Sequence, residues 1–150
     1  MTITATESSA ALTGLYAEVQ QFYARQVHLL DAVRAEEFAA TFAADGVFQH
    51  SPDSPPATGR EGIAAEVRGF NERRFATDPV QRRHWFNMLD VQPQSDGTLL
   101  TEFYALVVIT RPGQAQPVIA PSCTVRDLLV REDGELRTLR RQVSQDHLSF

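Results

Sequence analysis

Asp31 and His84 are the residues of this 150-residue chain whose types and settings point most directly to chemistry. Asp31 lies inside an apolar stretch, Leu29-Leu30-Asp31-Ala32-Val33, near the end of a segment with helical spacing. Its stripe runs back through Val27 and Tyr23 at i−4 and i−8, with Tyr16 one heptad further. Such a carboxylate is either a helix-end group in water or a side chain projecting into an apolar cavity, where it can trade protons. His84 opens His84-Trp85-Phe86-Asn87-Met88, where alternation puts His84, Phe86 and Met88 on one face and Trp85, Asn87 and Leu89 on the other. A histidine in that setting is either a satisfied pocket-edge residue or a titrating catalyst. If both reach one pocket from different elements, Asp31 and His84 form a general acid/base pair, with Tyr23 donating to a developing oxyanion. Tyr16, His50, Phe86, Asn87 and Tyr104 are the expected lining and substrate-binding residues.

The other histidines carry less. His28 shares a solvated helix face with Gln21, Ala24, Arg25 and Ala32, and His147 sits near the C-terminus. His50 ends a short strand beside a proline-rich loop, a place suited to a pocket rim. Asp127 lies within a strand and reads first as a structural partner of Arg141 or Arg140, and second as a substrate anchor. His50, His84, His147 and Asp31 show no recognised metal-ligand spacing, so no metal is expected. There is no glycine-rich phosphate loop, GxSxG elbow, CxxC or HExxH, and no cofactor is expected.

The elements that must position these groups follow from periodicity and turn signals. Leu12–Val33, Ala35–Ala44 and Arg60–Phe75 have helical spacing, and Asp45-Gly46 is expected to end the second helix with a left-handed glycine. Val47–His50 reads as a strand and residues 51–59 as a loop. Arg82–Gln92, Thr98–Thr110, Val118–Arg131 and Leu136–Gln145 read as strands separated by Ser95-Asp96-Gly97, Pro112-Gly113 and Asp133-Gly134. Helices followed by long hairpin-linked strands predict an α+β domain, with helices laid on a bent, mainly antiparallel sheet around a pocket.

Composition bounds the rest. At 43% hydrophobic and 22% charged, the chain can build one core, expected over residues 12–150 after a flexible N-terminus of residues 1–11. Those first residues have no positive charge and no apolar stretch, unlike a signal or transit peptide. A net charge of −5 argues against nucleic acid, and no apolar run approaches the roughly 20 residues of a membrane span. All 14 basic residues are arginine, which we read as coding bias. One cysteine, Cys123, precludes an internal disulfide and suits a cytoplasmic location. The partners expected are a small-molecule substrate and a second copy of the chain, because the convex face of a long bent sheet is often too apolar to leave wet.

Tyr23-x7-Asp31, Phe38-x3-Phe42-x2-Asp45-Gly46-Val47-Phe48, Gly59-Arg60-x2-Ile63, Arg83-His84-x2-Asn87, Arg126-Asp127 and Gly134-x6-Arg141 follow in order within a pattern that covers roughly Leu15 to Val143. This pattern resembles the nuclear transport factor 2-like superfamily, and within it the SnoaL-like proteins of polyketide and related biosynthesis. The resemblance implies a cone-shaped fold with a deep pocket. It also implies a cofactor-independent cyclase, dehydratase or isomerase acting on a hydrophobic, oxygenated molecule such as a polyketide-type intermediate. Asp31 and His84 resemble the pocket aspartate and strand-borne histidine of scytalone dehydratase. Leu30 stands where that pattern has a tyrosine, and its second histidine has no counterpart in Thr98–Thr110. The stretch Asp78–His84 is also similar to ring-hydroxylating dioxygenase small subunits, which implies the alternative of a non-catalytic binding or partner subunit.

Overall fold

The computed structural model describes residues 5–150. Helix α1 (Ala5–Asp31) starts upstream of the expected boundary, so residues 5–11 are its first turns, and residues 1–4 lie outside the described residues. Val19, Tyr23, Gln26 and Val27 form its buried stripe, while Leu12 and Tyr16 remain exposed. The helix ends where Val33 takes a left-handed φ of 55°, with Val33 N–H donating to the Leu30 carbonyl and Arg34 N–H to that of Leu29. This is the paired-bond helix stop usually built on glycine. A β-branched residue there is strained by about 1–2 kcal/mol, and it sits two residues from Asp31.

Helix α2 (Ala35–Ala40) is shorter than the periodicity predicted. Strand β1 (Phe42–Gln49) begins almost at once and runs parallel to the last strand, with the six residues Phe42–Val47 set against the three residues Thr138–Arg140. Asp45-Gly46 is therefore part of a large bulge and not a helix stop. Gly46 is there for space: an added Cβ would lie 2.9 Å from the Ala43 carbonyl oxygen and 3.0 Å from Phe42 Cβ. The short β2 (Ala57–Thr58) leads into α3 (Gly59–Phe75).

The second half is strand-built, as expected: β3 (Gln81–Pro93), β4 (Leu99–Thr110), β5 (Val118–Ile119), β6 (Cys123–Glu132) and β7 (Glu135–Gln145). The single strand predicted over 118–131 is divided at Pro121, which has no N–H for the ladder, and both halves pair with β4. Sheet order is β2-β1-β7-β6-β4-β3, antiparallel except for β1 against β7, and the curved sheet stays open. In β3 the register slips between Asn87 and Asp90 around Met88, whose φ is 55°. The bulge shifts the alternation by one residue. Met88 therefore points outward, 68% exposed, and Leu89 packs against the core, the reverse of the expected assignment.

Two cores result. Val19 and Tyr23 of α1 pack on Val91, Leu99, Phe103, Val125 and Leu129 of the sheet. Phe38, Phe42, Phe48, Ile63 and Val67 join α2, α3 and β1. The site lies where these cores meet, between the end of α1, the face of α3 and the start of β3. No helix among the described residues is long and apolar enough to cross a membrane.

Candidate active site

Asp31 and His84 meet there. The end of α1 brings Asp31 Oδ1 to 2.6 Å from His84 Nδ1, and the His84 backbone N–H donates to both carboxylate oxygens at 3.2 and 3.3 Å. Both side chains are nearly dry, 11% exposed for His84 and 5% for Asp31. The carboxylate can only accept, so it makes Nδ1 the protonated ring nitrogen and leaves the Nε2 lone pair as the basic one. Burial holds the His84 pKa below its ordinary value; the Asp31 hydrogen bond opposes this shift and the nearby Arg82 charge assists it. At neutral pH the imidazole is an uncharged base.

His84 lines a cavity of about 410 Å³, counting its open mouth, together with Leu30, Val33, Phe48, His50, Glu66, Val67, Phe70, Asn71 and Arg82. Its lining, mostly apolar with a few convergent polar groups, is of the kind that takes a small organic molecule. Asp31 is not part of the cavity lining and stands behind the imidazole, bonded to its Nδ1. His50 is on the wall, 4.7 Å from the Phe70 ring. Burial, reinforced by Arg82 and His84, pushes its pKa down to about 4.

The remaining expected site residues lie elsewhere. Tyr23 is 4% exposed, and its hydroxyl donates to Asp127 at 2.9 Å and meets Thr101 at 2.6 Å. Burial and then the Asp127 charge raise its pKa well above the usual value, so it remains a fixed donor to Asp127 and has no free proton for an oxyanion. Phe86 packs beneath His84 against Tyr23 and Phe103. Tyr16 and Tyr104 are exposed, and Asn87 accepts the Met88 N–H across the β3 bulge. His28 and His147 are exposed.

Asp127 and Arg141 do pair. Arg141 is 2% exposed and grips Asp127 through Nε at 2.9 Å and Nη2 at 2.7 Å, with Nη2 also donating to Gln26. Burial acts against the Arg141 charge, but Asp127 more than offsets it and raises the pKa. Gln26 in turn donates to Thr41 and Thr138, so the network ties α1 to the sheet.

Arg82 is the site residue that the sequence reading missed. It shares the inward face of β3 with His84 and Phe86, two residues earlier, and extending the alternation back would have found it. Its guanidinium lies 5.0 Å from the Phe70 ring centre and 5.4 Å from that of Phe75, with Nη2 3.3 Å from His84 Nε2. Phe70, Asn71, Glu66 and Val67 come from one face of α3, for which the sequence showed helical spacing alone. No group of three His, Cys, Asp or Glu side chains among the described residues converges as a metal-ligand set.

Three helices on an open, curved, mixed sheet around such a cavity define a nuclear transport factor 2-like, cystatin-like α+β fold. A protein of this fold from Novosphingobium aromaticivorans superposes with a TM-score of 0.76 at 22% identity, over 97% of this chain and 92% of its own. Residues 13–142 match the model of the SnoaL-like domain, and the chain belongs to that family. A Catenulispora acidiphila protein, solved in complex with S-DNPA, shares 48% identity over 91% of this chain and 97% of its own, with a TM-score of 0.82. ActVI-ORFA of Streptomyces coelicolor shares 43% over 89% and 98%, with a TM-score of 0.82. Comparison with curated proteins finds no match.

Proposed function

We propose that this chain is a cofactor-independent acid/base enzyme of the cyclase, dehydratase or isomerase type. Its substrate would be a hydrophobic, oxygenated small molecule such as a polyketide-type intermediate. The observation that carries this reading is the 2.6 Å contact between Asp31 and His84 at the wall of a mostly apolar cavity. A neutral imidazole there takes a proton from a carbon beside a carbonyl through Nε2. Asp31 holds the ring in the required tautomer and stabilises the imidazolium that forms. Arg82 supplies positive charge next to that nitrogen, where the departing proton leaves negative charge on the substrate oxygen. The same imidazolium then returns the proton, completing an isomerisation, an elimination or a ring closure. The bound S-DNPA of the Catenulispora acidiphila relative supports a ligand-binding cavity in this chain as well.

The test is deuterium uptake by 2-tetralone in D2O, followed by mass spectrometry, alongside binding of the same ketone. The wild-type chain should accelerate exchange, and His84→Ala should lower it by about 10²–10⁴-fold with binding retained. Exchange at the buffer rate with normal binding would instead favour a non-catalytic ligand-binding subunit.

The partner is proposed to be a second copy of the chain. Trp85, Tyr104, Leu106, Val118 and Ile119 are exposed on β3, β4 and β5, with Trp85 directly opposite Leu106. An apolar surface of this kind supports association through the outer face of the sheet.

A further inference from the structure

Arg82 is a cavity-facing guanidinium without a carboxylate. Three other arginines use the Nε/Nη2 edge on a carboxylate, Arg34 on Glu37, Arg111 on Asp78 and Arg141 on Asp127, each through both nitrogens, whereas Arg137 reaches Glu135 through Nη2 alone and leaves its Nε unpartnered. In Arg82 the same edge meets only the imidazole of His84 at 3.3 Å through Nη2, and its Nε is buried without a hydrogen-bond partner among the described residues. A buried donor on a charged group is costly to leave unmade. Asp31 does not fill the vacancy, because its hydrogen bonds run to the ring and backbone of His84.

The charges around this edge point the same way. Arg74 lies over the same Phe70 ring as Arg82, at 5.6 Å, and Arg73 is held by Glu66 at 3.6 Å. Neither Arg74 nor Arg82 forms a salt bridge with any carboxylate among the described residues. Of the two, Arg82 lines the cavity, with Asp31 the negative charge acting on it, and Arg74 stands exposed outside the lining.

We infer that the ligand of this cavity carries a carboxylate, which takes the Nε/Nη2 edge of Arg82 with Arg74 nearby. Its apolar body lies against Phe48, Phe70 and Val33, and its reacting carbon faces His84. A bidentate carboxylate satisfies the orphaned Nε and draws Nη2 away from His84, which frees the Nε2 lone pair for the substrate. The inference rests on reading the cavity as the substrate site, and it narrows the substrate to an acid.

The probes are 2-naphthoate and 2-naphthamide, nearly isosteric and differing in charge, titrated into the full chain by calorimetry and by NMR of the arginine Nε–H groups. The acid should bind at least about tenfold more tightly than the amide. It should also shift the Arg82 Nε–H resonance. Arg82→Gln should abolish the preference and Arg82→Lys should keep part of it, since a point charge lacks the bidentate edge. Equal affinity of acid and amide for the wild type, or an undiminished preference in a folded Arg82→Gln, overturns the inference. The wild-type comparison decides by itself if that variant does not fold. His84→Ala should retain the acid preference, so a failure of the proton-transfer reading is distinguishable from a failure of this one.

Discussion

His84 meets Asp31 twice, through its ring at 2.6 Å and through its own backbone N–H at 3.2 and 3.3 Å. The double contact locks the position of the strand to the end of α1 as well as orienting the imidazole. Its electrical consequence has a definite sign. Burial lowers the His84 pKa, the Asp31 bond raises it and Arg82 lowers it. Asp31→Asn should therefore move the His84 titration to lower pH, and Arg82→Gln should move it to higher pH, as read from the imidazole C–H resonances. The acid limb of kcat/KM should follow in the same directions. An upward shift in Asp31→Asn would contradict the assignment of Nδ1 as the protonated nitrogen.

His50 should make the fold acid-sensitive. Its pKa falls from 6.5 in the unfolded chain to about 4 in the folded one, so the unfolded state binds more protons between these values. The stability contribution is complete above the unfolded value and is lost as the pH falls toward the folded one. At most about 3 kcal/mol is at stake. Urea denaturation at neutral and mildly acidic pH should show this slope in the wild type and a flatter one in His50→Phe, which keeps the ring stacking without the titration.

The Arg141–Asp127 pair is fully buried, so removing one partner strands the other. Asp127→Asn or Arg141→Met alone should cost about 3–5 kcal/mol in chemical denaturation, and the two together distinctly less than the sum. Tyr23→Phe leaves Asp127 one donor short and should cost about 1–3 kcal/mol. Additive losses would show that these groups do not act as one network.

The exposed outer face gives the dimer proposal its test. Light scattering of the wild type should report twice the 16.7 kDa chain mass. Trp85→Glu combined with Leu106→Glu should return it to the monomer with its fold intact by circular dichroism. A monomeric wild type at high micromolar concentration would refute the proposal.

The helices, the long hairpin-linked strands and the pairing of Asp127 with Arg141 were legible in the sequence, because each follows from local spacing or from a charge placed in a strand. Three details were not. Gly46 reads as a helix stop, but the register of β1 against β7 turns it into the crowded point of a bulge. Met88 and Leu89 exchange faces because a single extra residue in β3 shifts every later side chain. Tyr23 reads as a free donor on the stripe of Asp31, and it is the partner 104 residues away that engages its hydroxyl.

By its own periodicity and residue types, the sequence determined an α+β domain and nominated Asp31 and His84 as a pair to be brought together. Tertiary structure alone decided their roles. The end of α1 places the carboxylate behind the imidazole, so that His84 lines the cavity and Asp31 does not. Tertiary structure also decided that Arg82 reaches the cavity without a carboxylate while Arg141 has one. Which charge is neutralised depends on contacts between strands and helices far apart in the chain, which local spacing does not encode.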